Sequence, residues 1–199
     1  PLRKLVPVGE ISSHKSDERR ANRRFLFETD RLSQHLREHE ALYDTMEDRY
    51  GVPREVVGAI LLKESALGET PGMDHDAFVV LNTLLDGLRM PADPSERMRS
   101  RIPRLTRFAR RQMVALVSWA HRTGVNLRET QIPCSYAGAI GIPQFIPSNL
   151  RYAVTRGEGP PDLSHMPDAI LSTGHILSRV FNWPDKRLDF DRLAGMEEV

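Results

Sequence analysis

The chain has 199 residues, 40% of them hydrophobic and 28% charged, enough for one domain with a sizeable core. A formal net charge of +1 excludes a polyanion-binding logic for the molecule as a whole, so nucleic acid is not an expected partner, and the apolar runs are far too short to span a bilayer. The single cysteine, Cys134, forbids an intramolecular disulfide and leaves the compartment open.

Residues 1 to 16 hold Pro1, Pro7, Ser12, Ser13 and Ser16 with little periodic apolar content, which predicts an extended lead-in. The chain begins at Pro1 without a signal peptide and is read as a mature or trimmed product whose targeting segment is absent. Ser16, followed by Asp17 and Glu18, suits a helix start with acids at the positive end of the dipole. Phe25, Leu32, Leu36, His39, Tyr43 and Met46 then recur at helical spacings, predicting one amphipathic helix, or two, to about Arg49. Within it, His35-Leu36-Arg37-Glu38-His39 has the order of an inverted zinc-peptidase motif, two imidazoles one turn apart with a Glu between them. No motif elsewhere supplies a third ligand. A surface pair is expected, with His39 against the apolar stripe and no metal bound.

A short helix follows. Pro53 suits its first position and Gly68 the left-handed residue past its end. Glu64 shares a helical face with Val57, Ile60 and Leu61. Burial disfavours the charged form of a carboxyl, so an acid on such a stripe is a candidate general acid. The alternative is a rim Glu that reaches solvent past Leu61. Asp74, His75 and Asp76 then lie in a turn-rich loop, where three contiguous polar residues are expected to be solvated. Ala77 to Leu88 reads as a helix burying Val80, Leu81, Leu84 and Leu85.

From 89 to 111 the chain holds Arg89, Arg97, Arg99, Arg101, Arg104, Arg107, Arg110 and Arg111. Pro91, Pro94 and Pro103 are expected to break its first part into loop, with a core helix from about Arg104 to Arg122 that Gly124 ends. An anion-binding surface or a solvated face would both suit these arginines, and the solvated face is preferred. No aromatic residues interleave with the first of them to stack bases.

Cys134 to Asn149 is dense in small residues, with Gly138 and Gly141 allowing close backbone approach and Ser135 and Gln144 offering polar groups. It could be a binding loop or a packed helix–loop junction. Ser148 can cap a short helix after Pro147, and Pro167-Asp168 starts a last helix reaching Asn182-Trp183-Pro184. Few segments alternate with period two. The expected fold is mostly α, with a short hairpin near 128–140.

Three separated motifs coincide: Lys63-Glu64-Ser65, the run from Ser135 to Ser148 containing Ala137-Gly138-Ala139-Ile140-Gly141-Ile142-Pro143-Gln144-Phe145, and Pro167-Asp168-Ala169-Ile170 leading to Trp183. Over residues 43–184 the chain resembles the lysozyme-like catalytic domain of lytic transglycosylases of the membrane-bound type B group. The resemblance implies a helical domain over 17–184 with a cleft for peptidoglycan glycan strands, and a polar tail over 185–199. It implies Glu64 as the single acid/base. Ser135 would approach the N-acetyl group, Gln144 would hydrogen-bond substrate, and Ser65, Tyr136 and Gly138 would line the binding site. It implies a monomeric enzyme of the periplasm or cell envelope, without cofactor, that forms 1,6-anhydro products.

This chain departs from the family pattern in three places, the first being its short length, from which accessory domains are expected to be absent or reduced. Thr155 to Asp162 lacks the alternating acids of a calcium loop, so bound calcium is not expected. Around Asp86 to Pro91 nothing matches the family's Tyr-Pro-Arg-Arg segment. A hydrolytic muramidase of goose-lysozyme type and a non-catalytic cell-wall-binding module remain alternatives.

Overall fold

The computed structural model describes residues 28–69 and 74–181. The expected lead-in, the helix start at Ser16, the end of the last helix at Trp183 and the tail lie outside these residues.

The amphipathic stretch forms two helices, α1 (Thr29–Glu38) and α2 (Glu40–Tyr50), which meet at His39, where the backbone leaves helical geometry. The Glu64 segment is α3 (Arg54–Ser65). Strand β1 (His75–Asp76) leads into α4 (Ala77–Gly87), and the long α5 (Glu96–Thr123) is followed by β2 (Pro133–Cys134), a 3-10 helix (Pro147–Tyr152) and α6 (Met166–Val180). The fold is mostly α with one two-stranded sheet.

Three expectations are corrected here. α5 runs through Pro103 instead of starting after it. Ser95 caps the helix by accepting from Met98 N at 3.3 Å, and the N–H that Pro103 lacks would have bonded Arg99 on an exposed turn, where water can serve that carbonyl. The sheet is not a local hairpin: β2 pairs antiparallel with the distant β1, His75 opposite Cys134, while Ile140 bridges Cys134 and Phe145. Ser148 lies inside the 3-10 helix, not at its cap, and its N–H donates to Gln112 Oε1 at 2.9 Å.

Two apolar cores result. One gathers Ala77 and Leu81 of α4, Leu116 and Trp119 of α5, Cys134, Ile140, Phe145 and Leu150. The other gathers Tyr43 and Met46 of α2, Val57 and Leu61 of α3, Ile142, and Ile170 and Leu171 of α6. Each fully buried side chain of this size contributes roughly 1.5–3 kcal/mol. The small-residue loop belongs to both cores, through Ile140 and Phe145 on one side and Ile142 on the other. It is the seam between them.

Arg54 pins α2 to α3. Its backbone N–H donates to Glu47 Oε1 at 2.7 Å, and its guanidinium pairs with Glu47 and Asp44. These carboxylates raise the guanidinium pKa further above its ordinary value, so Arg54 is always charged.

Candidate active site

The buried face of α3 consists of Val57, Gly58, Leu61, Leu62 and Ser65. Glu64 sits at the edge of that face and is exposed. Protein atoms therefore do not desolvate it as expected, because the core lies one residue further round, under Ser65. Ser65 is 2% exposed, and its hydroxyl donates to Leu61 O at 3.2 Å and accepts from Gly68 N at 3.0 Å. With its hydroxyl committed to Leu61 O and Gly68 N, Ser65 shapes the turn.

Gly68 is left-handed, as expected, but Ala66 (φ 50°) and Leu67 (φ 59°) turn left-handed before it. Such a residue costs of order 1–3 kcal/mol and persists only when its surroundings hold it. Here Ala66 N–H donates to Leu62 O at 2.9 Å and Leu67 N–H to Leu61 O at 3.1 Å. Among the described residues the other non-glycine with positive φ is Gln144 (φ 51°). All three strained residues thus lie beside Glu64 or in the small-residue loop.

That loop is tied to itself. Ser135 N–H donates to Ala139 O at 2.7 Å, and Ser135 Oγ accepts from Ala139 N at 3.2 Å, which leaves the hydroxyl hydrogen to offer. Gln144 Nε2 donates to Gly141 O at 2.8 Å, so its amide oxygen is the group free to accept. Tyr136 is 60% exposed. Gly138 is buried beside Val80 and Leu81 of α4 with room for a Cβ, and its φ of 82° is what favours glycine there. The two strained segments meet, because Gly68 lies against Ile142. The fold therefore brings the Glu64 turn to the middle of the loop that carries Ser135 and Gln144.

The other candidates have structural explanations. His35, not His39, is the buried histidine of the pair, and its Nε2 lies 3.1 Å from Tyr43 Oη. Burial, with His39 adding to it, pulls the His35 pKa down to about 4. Among the described residues no three His, Cys, Asp or Glu side chains are grouped to hold a metal ion. Asp76 accepts from Val79 N and Ile132 N, both at 2.9 Å, capping α4 and tying it to the segment before β2. Burial, with the nearby Asp76 carboxylate, pushes the Cys134 thiol up to about 12, so it stays protonated and packs as an apolar group. Arg97, Arg99, Arg104, Arg107, Arg110 and Arg111 are exposed along α5.

The sequence reading placed Asp168 at the start of the last helix without a role for its carboxylate, and it did not single out Gln112. Asp168 is 4% exposed, and its carboxylate accepts from Arg156 N at 3.0 Å and Asp162 N at 2.9 Å. It folds the 155–162 segment, which lacks the alternating acids of a calcium loop, around a side chain. This segment borders a cavity of about 500 Å³ lined by Arg156, Glu158, Asp162 and His165. Gln112, buried in α5, anchors the 3-10 helix that follows the loop. Its signal was a polar residue on the stripe between Ala109 and Leu116.

Comparison with known proteins defines the class. The family described as the transglycosylase SLT domain matches residues 26–188, and the chain belongs to it. No curated protein matches the sequence. Among solved structures, the soluble lytic transglycosylase SltB1 of Pseudomonas aeruginosa is similar, with 27% identity and a TM-score of 0.65, over 80% of this chain and 48% of that one. SltB3 of the same organism, in complex with NAG-NAM-pentapeptide, matches at 26% identity and a TM-score of 0.59, over 76% of this chain and 36% of that one. The Escherichia coli lytic transglycosylase Slt35 in complex with bulgecin A, at 20% identity and a TM-score of 0.65 over 85% of this chain and 49% of that one, shows the shared fold. The chain spans half or less of the length of these structures.

Proposed function

We propose that this domain is a peptidoglycan lytic transglycosylase that cleaves the β-1,4 bond between N-acetylmuramic acid and N-acetylglucosamine, with Glu64 as the single acid/base. The observation that carries this is the strained turn after Glu64 seated on the loop of Ser135 and Gln144. Strain of this kind collects where geometry must be held for a ligand. Family membership and the glycan-peptide ligand of SltB3 support the same substrate class.

Glu64 protonates the glycosidic oxygen as the bond to C1 breaks. The substrate's own N-acetyl oxygen holds the developing cation, so one carboxylate suffices where ordinary glycosidases need two. The ionised Glu64 then takes the proton of the C6 hydroxyl. O6 closes on C1 to give the 1,6-anhydro ring, and no water is consumed. The exposure of Glu64 suits this sequence, because a glycan strand laid across the turn would itself displace the solvent. Tyr136 offers an exposed ring beside the loop, and Ser135 and Gln144 offer a donor and an acceptor. The reading places the enzyme in the periplasm or cell envelope, where peptidoglycan is; among the described residues no helix is long and apolar enough to cross a membrane.

The test is digestion of purified peptidoglycan by the wild type and Glu64→Gln, followed by mass analysis. The expected wild-type product is an anhydromuramoyl end, lighter by one water than a reducing end. Glu64→Gln is expected to lose a hundredfold to ten-thousandfold in rate, roughly what general acid–base catalysis contributes. Reducing ends from the wild type would indicate a hydrolase, and undiminished cleavage by the variant would overturn the assignment of Glu64.

A further inference from the structure

We propose that Arg31, on α1, is a positioning residue for Glu64. The proposal rests on Glu64 as the acid/base. Arg31 Nη2 donates to the Ala66 carbonyl at 2.5 Å and pairs with Glu69 Oε2 at 2.9 Å, and Nη1 approaches Glu28 Oε2 at 3.5 Å. Ala66 is the first left-handed residue after α3, two positions from Glu64. The guanidinium thus grips both ends of the strained turn, Ala66 at its start and Glu69 just past Gly68.

Three features make this contact more than a surface ion pair. It is long-range, 35 residues apart in sequence, so it fixes α1 to the turn and not a helix to itself. One acceptor is the Ala66 carbonyl at the C-terminus of α3, where the helix dipole favours a cation; it also accepts from Glu69 N at 3.3 Å, so Arg31 adds a charged donor from another helix to the turn's own backbone bond. The Arg31 side chain is half-buried, at 32% exposed, whereas Glu69 is 75% exposed, so the bond to the carbonyl is the less solvated of the two contacts. Ser65 and the backbone bonds hold the turn from inside α3, and Arg31 holds it by a hydrogen bond from another helix. α1 itself is seated, because Leu32 and Leu36 pack over Gly58 of α3. Without the clamp the two left-handed residues can relax, and relaxation rotates the last turn that aims Glu64.

The test is steady-state kinetics on soluble glycan fragments with Arg31→Met, Arg31→Lys, Glu69→Gln and Glu64→Gln, each measured below its melting temperature. Arg31→Met keeps the aliphatic stem and removes every donor. It is expected to lower kcat about a hundredfold, the loss that a misplacement near 1 Å can cause, with KM little changed. Arg31→Lys, which still donates to Ala66, should recover much of the loss. Glu69→Gln, which removes the ion pair and keeps the bond to the Ala66 carbonyl, should lose less than Arg31→Met. A merely structural role would lower the melting temperature and leave kcat per folded molecule unchanged. If Arg31→Met fails to fold, Arg31→Gln, too short to reach Ala66, takes its place. Wild-type kcat in that variant beside an inactive Glu64→Gln overturns the proposal and spares the assignment of Glu64. An active Glu64→Gln overturns the assignment beneath it.

Discussion

Among the turn glycines of the described residues, Gly141→Ala should be the most damaging alanine substitution, and the structure gives the magnitude. Gly141 has φ 66°, and a Cβ there would lie 2.4 Å from Leu163 Cβ and 2.5 Å from Leu163 O. Leu163 cannot yield easily: it is buried, and its carbonyl accepts from Ile142 N at 2.8 Å. A left-handed alanine costs roughly 1–2 kcal/mol. Forcing a methyl into a packed site costs about 1–3 kcal/mol more. The expected loss is therefore about 2–5 kcal/mol, or a drop in melting temperature of roughly 4–20 °C for a domain of this size. Gly124→Ala is the control. Its φ is 74°, but nothing lies within 4 Å of its Cβ, so only the backbone cost of about 1–2 kcal/mol applies. Denaturant unfolding of both variants, followed by circular dichroism, isolates the packing term as their difference. Equal losses with unchanged m-values would refute the claim that the loop is pressed against Leu163. Activity should fall with stability in Gly141→Ala alone, because Gln144 hangs on the Gly141 carbonyl through both its N–H and its Nε2.

Gln144→Ala should keep the fold and slow turnover by the worth of one neutral hydrogen bond, on the order of 1 kcal/mol, in the same glycan-fragment assay; full activity would remove Gln144 from the site. Ser135→Ala should behave alike, since it removes the hydroxyl offered to the N-acetyl group. Stability should depend on pH through His35, whose folded pKa lies below its unfolded value of 6.5, at about 4. The native state then binds fewer protons than the unfolded one, so the contribution is present above pH 6.5 and is lost as pH falls toward 4, on the order of 3 kcal/mol in all. Melting curves between these pH values should flatten in His35→Gln. Cleavage of peptidoglycan should survive exhaustive EDTA, because Asp168 already closes the 155–162 segment. Loss with chelator and restoration by a metal ion would contradict this.

The helical fold was legible in the sequence because apolar spacing dictates which faces must be buried, wherever the partner elements lie. α4 was readable from its stripe and α6 from Pro167-Asp168. The two candidate segments were legible as well, one by an acid beside an apolar stripe and the other by its density of small residues. Long-range contacts were not legible. Pro103 marks a break in local propensity, yet the face that buries Ala109 and Leu116 carries the helix through it. His35 and His39 are equivalent by spacing, and only the fold placed Tyr43 beside His35. Whether Glu64 or Ser65 faces solvent depended on where the second core lies relative to the end of α3, a matter of one helical position. Gly68 announces a left-handed residue, but Ala66 and Leu67 became left-handed because hydrogen bonds from their N–H groups, Ser65 and Arg31 offset the strain. Periodicity is a property of neighbours along the chain. What meets across 35 residues, as Arg31 and Ala66 do, is decided by how the helices pack.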